Sequence, residues 1–274
     1  MTATLPAAPS ATETASTNRF VWHDLMSTDR ETALAFYGDL FGWTVQTMDM
    51  GEMGQYHMLQ AGGAPFGGAV QMEAGDGLPS HWISYVSCEH IDDTAAKAAE
   101  LGGTVAHGPM DIPDVGRFAV FIDPQGAAFS AITSLPGTPA APESPADGEG
   151  RVPFGCPIWN ELLTTEQEAA TAFYTALLGW SVEQAPMEHG GTYTLLGRGG
   201  GLTHAGGIFQ KPETMPVAAW MVYFHVADAD LTFAKATEIG GTALTPVIPV
   251  PEVGRIAWLQ DPSGATFAIL EPAW

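Results

Sequence analysis

Residues 22–43 read WHDLMSTDRETALAFYGDLFGW, and residues 159–180 read WNELLTTEQEAATAFYTALLGW. The two stretches align without a gap, and half of their positions are identical, from Trp22 and Trp159 at one end to Trp43 and Trp180 at the other. Each opens with a strand-like run and continues into a helical pattern. Thr28 and Glu31 have the T-x-x-E spacing of a capping box, and Ala33, Phe36, Tyr37 and Leu40 then form an apolar stripe. Thr165 and Glu168 repeat that spacing in the second stretch.

The duplication extends along the chain. WISYVSCEHIDDTAAKAAELGGT at 82–104 matches WMVYFHVADADLTFAKATEIGGT at 220–242, and IPDVGRFAVFIDPQGAAF at 112–129 matches VPEVGRIAWLQDPSGATF at 250–267. The offset changes by a single residue, so the two halves are tandem copies. Inside each half the order short apolar run, helix, further short runs occurs twice. GQYHMLQ (54–60), GGAVQM (67–72), GGTVAHG (102–108), GRFAVFID (116–123) and GAAFSAIT (126–133) read as strands. Gly102 is placed to end the second helix in a left-handed conformation, and DPQG and DPSG read as tight turns. The fold class expected is α+β, with four βαβββ units paired into two tandem domains. Residues 1–18 read as a disordered tail, 19–134 as the first domain, 135–152 as a Pro- and Ala-rich linker, and 153–274 as the second domain.

Composition narrows the partners. Nine basic residues against 31 acidic ones give a net charge of −22, which repels nucleic acid and anionic membrane surfaces. No uncharged apolar run approaches the roughly 20 residues that span a bilayer. Cys88 and Cys156 match no metal or redox spacing, and with no leader-like start the expectation is a cytoplasmic protein, monomer or homodimer, that meets a small-molecule ligand.

The strand followed by D/E-x-x-x-A-x-x-F-Y-x-x-L-F/L-G-W, and later G-R-x-A-x-x-x-D-P-x-G-x-x-F, resembles the vicinal oxygen chelate superfamily. That superfamily includes glyoxalase I, bleomycin-resistance proteins and extradiol dioxygenases, and the likeness covers Phe20 to Pro272 apart from the linker. The resemblance implies that paired units roll their strands into a cup, usually around a divalent metal. It places the metal ligands on the first strand of a unit and on the strand after the DPxG turn. In this chain those places fall on Trp22 and Trp159, near Ile83 and Met221, and on Ser130 and Ala268. None is a His, Glu or Gln, so the usual metal site is expected to be lost; a divalent metal is the one cofactor the resemblance leaves open.

Alternation along a strand puts Asp24 on the face of Trp22, and Glu161 on that of Trp159. Buried in a cup, either carboxylate would have a raised pKa and suit acid–base work. Held at a strand end by N–H donors, either would be structural. His225 alternates with Tyr223 and has Ser87 as its counterpart, which makes it a third catalytic candidate. Trp22, Tyr56 and Tyr85, with Trp159, Tyr193 and Tyr223, are candidates to line a flat ligand's pocket. His23 and His57 alternate out of phase with these and are expected to be exposed. The paired glycines at 62–63 and 67–68, and those at 199–201, read as hairpin turns or rims. Arg117 and Arg255 open equivalent strands and could meet a carboxylate. As an enzyme the protein would resemble the family's lyases, isomerases and dioxygenases. As a binder it would resemble the bleomycin-resistance members, which sequester a drug in a metal-free, aromatic-lined groove.

Overall fold

The first quoted stretch folds as strand β1 (Phe20–Ser27) and helix α1 (Arg30–Phe41), and the chain then adds β2 (Thr44–Asp49), β3 (Gln55–Ala61) and β4 (Ala64–Gln71). The structure is a computed structural model that describes residues 18–273 apart from 52–53, 74, 76, 140–151, 188–190, 198–203 and 214. The expected tail, up to residue 17, and the linker from 140 to 151 lie outside the described residues. The second unit runs β5 (His81–Ser87), α2 (Ile91–Glu100), β6 (Thr104–Ile112), β7 (Gly116–Ile122) and β8 (Ala128–Ser134). These eight strands form one mixed sheet in the order β2-β3-β4-β1-β5-β8-β7-β6.

The second half repeats this with β9 (Pro157–Thr164), α3 (Gln167–Leu178), β10 (Ser181–Pro186), β11 (Thr192–Gly197) and β12 (His204–Gln210). It continues with β13 (Ala219–His225), α4 (Ala229–Glu238), β14 (Thr242–Ala243), β15 (Ile248–Val250), β16 (Gly254–Gln260) and β17 (Thr266–Pro272). Nine strands join in the order β10-β11-β12-β9-β13-β17-β16-β14, with β15 also on β16. Strands β2 and β10 were not anticipated, because as sheet edges they expose nearly every side chain and carry no apolar alternation.

Two local expectations are corrected. Helix α1 is capped one residue later than the T-x-x-E spacing implies: Asp29 accepts the N–H of Thr32, while Thr28 bonds the hydroxyl of Ser80. The glycines at 67–68 lie inside β4, in agreement with the strand reading of 67–72 and not with a turn, because β4 passes close to β1. A Cβ on Gly67 would sit 1.9 Å from the carbonyl oxygen of His23. Gly62 and Gly63 do form a turn, Gly102 is left-handed at φ +88°, and the glycines at 199–201 lie outside the described residues.

The helices do not simply cover their own sheets. Ala33, Phe36, Tyr37 and Leu40 of α1 share one core with Val222, Phe224, Phe267 and Ile269 of the other half. Ala170, Phe173, Tyr174 and Leu177 of α3 share a second core with Ala119, Phe121, Phe129 and Ala131. Buried polar groups tie these cores reciprocally. Tyr174 donates to Asp123 (3.1 Å) in the DPQG turn and accepts from Trp220 (2.9 Å); Tyr37 accepts from Trp82 (3.0 Å) and lies beside Asp261 of the DPSG turn. Trp43 donates to the Gly155 carbonyl and Trp180 to that of Asn18. The GG pairs that end α2 and α4 belong to the same contact, since a Cβ on Gly103 or Gly241 would meet Phe173 or Phe36 at 3.1 Å.

His23 corrects a third expectation. It does face away from Asp24, but the back of β1 is covered by the other domain, leaving His23 2% exposed. Its Nε2 lies 3.0 Å from Oδ1 of Asn160, the residue at the corresponding position of the second copy, and Ser84 donates to the same oxygen. Burial holds the His23 pKa down at about 4. The unfolded chain would protonate this histidine near pH 6.5, so between there and pH 4 the unfolded form binds more protons. Its contribution is therefore whole above about pH 6.5 and is lost as pH falls through that window, by up to about 3 kcal/mol. Chemical denaturation at a series of pH values should show this decline in the wild type and a flatter one in His23→Gln; equal slopes would refute the assignment.

Candidate functional site

On the opposite face of each sheet, strand register assembles a polar cluster on an aromatic wall. In the first domain Trp22 of β1 stands opposite Tyr85 of β5, and Tyr85 opposite Ser130 of β8. Directly paired residues share a face, so the three form a row, with Asp24 and Ile83 in the next row. The register therefore puts Tyr85 and Tyr223, rather than Ile83 and Met221, level with the two tryptophans.

Asp24 is 5% exposed and surrounded by donors. Its Oδ1 accepts from the Tyr56 hydroxyl at 2.6 Å and from the Trp22 indole N–H at 3.0 Å, and Tyr85 and the Gly68 N–H also bond the carboxylate. The Trp22 N–H is shared with the Tyr56 Oη at 2.6 Å. Tyr56 starts two strands away on β3 and reaches Asp24 by crossing β4 at Gly68. A Cβ on Gly68 would lie 2.0 Å from the tyrosine oxygen, so only glycine leaves that path open.

The second domain repeats the arrangement with different spacing. Glu161, 7% exposed, accepts from Tyr223 at 2.6 Å and also bonds Tyr193. Trp159 donates to Tyr193 at 3.0 Å, and Trp258 donates to Tyr223 at 2.9 Å. Tyr193 crosses β12 over Gly207, where a Cβ would again come within 2.0 Å. Burial pushes both carboxyl groups above their usual range, with the tyrosine hydrogen bonds opposing it. Burial first, and then the neighbouring carboxylate, push all four tyrosines well above theirs. At neutral pH the phenols are therefore donors fixed on a carboxylate, and the aromatic edges around them are what a ligand would meet.

The structure thus gathers Trp22, Asp24, Tyr56 and Tyr85 in one group and Trp159, Glu161, Tyr193 and Tyr223 in another. His225 instead meets the segment before β9: its Nδ1 lies 2.7 Å from the Val152 carbonyl oxygen and its ring 4.7 Å from that of Phe154. His57 lies 3.3 Å from the Thr47 hydroxyl on the edge strand. Arg117 pairs with Asp92 and Asp111, and Arg255 with Asp230 and Glu271, all at the surface. Gly68, Gly207, Ser130 and Trp258 were not singled out as parts of the clusters. The signal was present in FGGAVQ and AGGIFQ, whose glycines correspond between the copies.

A family model described as "Glyoxalase/Bleomycin resistance protein/Dioxygenase superfamily" matches residues 19–130, and one described as "Glyoxalase-like domain" matches residues 161–270. The chain is 34% identical over 255 residues to "Putative glyoxylase CFP32" of Mycobacterium tuberculosis, covering 92% of this chain and 94% of that protein. It is 30% identical over 291 residues to "Anthracycline biosynthesis protein DnrV" of Streptomyces peucetius, covering 91% and 92%. Among solved structures, the 2,3-dioxygenase LapB of Pseudomonas sp. KL28 matches with a TM-score of 0.61 at 12% identity, over 95% of this chain and 94% of that one. The Mn(II)-bound glyoxalase of Novosphingobium aromaticivorans matches with a TM-score of 0.57 at 16% identity, over 94% and 83%. At such identities the structural likeness establishes the fold.

A divalent metal such as the Mn(II) of that glyoxalase structure needs several imidazole or carboxylate ligands converging on one point. Among the described residues no three His, Cys, Asp or Glu side chains come together in that way. Each cup offers one carboxylate already bonded to tyrosines, and the side chains level with the tryptophans are Tyr85 and Ser130, or Tyr223 and Ala268. This donor set does not fit the metal.

Proposed function

Because the chain belongs to the glyoxalase/bleomycin resistance protein/dioxygenase superfamily, we propose that it takes a small, flat organic molecule into a cup of its sheet and holds it without a divalent metal. The observation that carries this reading is the carboxylate bonded by two tyrosines, in each domain, one row from the strand positions where the resemblance puts metal ligands. Such a network is closed on itself. It fixes the rings of Trp22, Tyr56 and Tyr85, and of their counterparts, as a rigid aromatic floor, which lowers the ordering cost of binding a flat ring. The relatives whose names refer to anthracycline biosynthesis support a polycyclic aromatic ligand. Tryptophan fluorescence of chelator-treated protein should be quenched saturably by catechol, a naphthol or a dihydroxyanthraquinone, with affinities unchanged by added Mn(II) or Zn(II). Stoichiometric metal in protein purified without chelator, together with binding that requires it, would overturn the reading.

The raised carboxyl groups favour a second reading, in which Asp24 or Glu161 moves a proton as general acid or base. Glu161→Gln would then abolish turnover of a methylglyoxal–thiol adduct or a catechol while shifting the melting temperature little. A large stability loss with no turnover to lose would assign Glu161 to the scaffold.

A further inference from the structure

The two cups share a frame and differ in what fills it. In the second domain Trp258 faces inward opposite Ala268, and its indole N–H sits on the Tyr223 hydroxyl. Phe209 lies two residues beyond Gly207 with its ring centre 6.3 Å from that of Tyr193, and Met215 packs against the same cluster. The corresponding positions in the first domain carry Val120, opposite Ser130, and Val70, opposite Met26. Two valines thus stand where the second cup holds two large aromatic rings, while the first cup's own ring on that wall is Phe118, 6.0 Å from Tyr85, where the second has Ile256.

A separate observation concerns polarity. Ser130 is fully buried, and its Oγ has beside it the Tyr85 hydroxyl, which is also engaged by Asp24. It shares a face with Tyr85 and so points into the cup. A buried hydroxyl that shares its neighbour with a carboxylate is poorly satisfied, and its counterpart in the filled cup, Ala268, has no such group.

We infer that the first domain's cup is the ligand site, that Val70 and Val120 admit the ring, and that Ser130 bonds a hydroxyl or carbonyl oxygen carried by it. The ligand class is a flat aromatic molecule with an oxygen substituent on its inner edge. Trp258 and Phe209 occupy the equivalent space in the second domain and make that cup structural. This assignment rests on the proposed small-molecule function and adds to it which half binds.

The test is titration calorimetry with a dihydroxyanthraquinone as probe. The wild type should take up one equivalent per chain. Val120→Trp should weaken binding about tenfold or more, and Ser130→Ala should weaken it several-fold by leaving the ligand oxygen unpaired. Trp258→Val should leave the affinity of that equivalent unchanged. Val120→Phe, a smaller insertion, should weaken binding in the same direction and guards against misfolding of Val120→Trp, which thermal melting would reveal. Undiminished binding in folded Val120→Trp and Val120→Phe, or loss of binding in Trp258→Val, would move the site to the second domain and overturn the inference alone. An absence of binding by the wild type to this and the simpler phenols would sink the small-molecule reading itself.

Discussion

Gly67→Ala is expected to lower the unfolding free energy by about 3 kcal/mol, at the upper end for inserted volume in a packed interior. The added Cβ would meet the His23 carbonyl oxygen at 1.9 Å. That atom belongs to the backbone of β1, which is paired on both sides, with β4 and with β5, and cannot step aside. The neighbouring change, Gly68→Ala, should behave differently because its obstacle is a side chain: the Tyr56 oxygen at 2.0 Å. Tyr56 would swing out and Asp24 would lose its shortest hydrogen bond, at a cost of about 2 kcal/mol for a bond to a charged or buried carboxyl group. In a Tyr56→Ala background Gly68→Ala should cost little more, since the obstacle is gone. Urea denaturation of the four variants measures all of this. A Gly67→Ala protein within about 0.5 kcal/mol of wild type, the range of an ordinary surface change, would show that β4 and β1 are not closely apposed at Gly67.

Phe224→Ala is expected to cost about 4 kcal/mol, the range for removing a fully buried aromatic ring. Phe224 is fully buried, with the ring centres of Trp43, Trp82, Phe41 and Phe267 between 5.1 and 6.1 Å from its own; the nearest of these are Trp43 at 5.1 Å and Trp82 at 5.2 Å. Both of those tryptophans belong to the other half of the chain. The loss should therefore lower a single unfolding transition followed alike by fluorescence and far-UV circular dichroism, and the two halves should not melt separately. For the same reason residues 18–139 and 152–273, produced apart, should be poorly folded alone and regain structure when mixed. Two resolved transitions, or an independently folded half, would contradict the shared cores.

How much of this was legible in the sequence follows from where each residue's partner lies. The apolar stripe of α1, the DPxG turns and the doubled order of elements could be read because their cues are local: spacing, a proline, a glycine. The α+β class and the family follow from those cues. What Ala33, Phe36 and Tyr37 pack against could not be read, since their partners Phe224 and Phe267 lie in the other copy and intrachain repeats carry no record of which copy touches which. His23 shows the same limit. Its phase was correct and its expected exposure wrong, because alternation tells which face a residue takes and not what covers that face. The glycines of β4 invite both a strand and a turn reading, because crossing rings and turns ask for the same residue. Asp24 and Glu161 were visible as candidates by recurrence. The tyrosines that enclose them come from β3, β5, β11 and β13, and only the register, which the sequence does not give, brings them to the carboxylates.

The contact of His23 with Asn160 bears on why the two halves are joined at all. These residues correspond in the duplication and meet one another, as equivalent residues do on the axis of a symmetric dimer. Two separate, identical subunits would be obliged to place the same side chain there twice, and to set a serine on both flanks or on neither. In the present chain an imidazole faces a carboxamide, with Ser84 on one side and Val222 at the matching place on the other. Covalent fusion has released that position from self-complementarity. The same release frees every pair of corresponding residues to be set independently, so one half can be altered for its ligand while the other is retained as the surface it folds against.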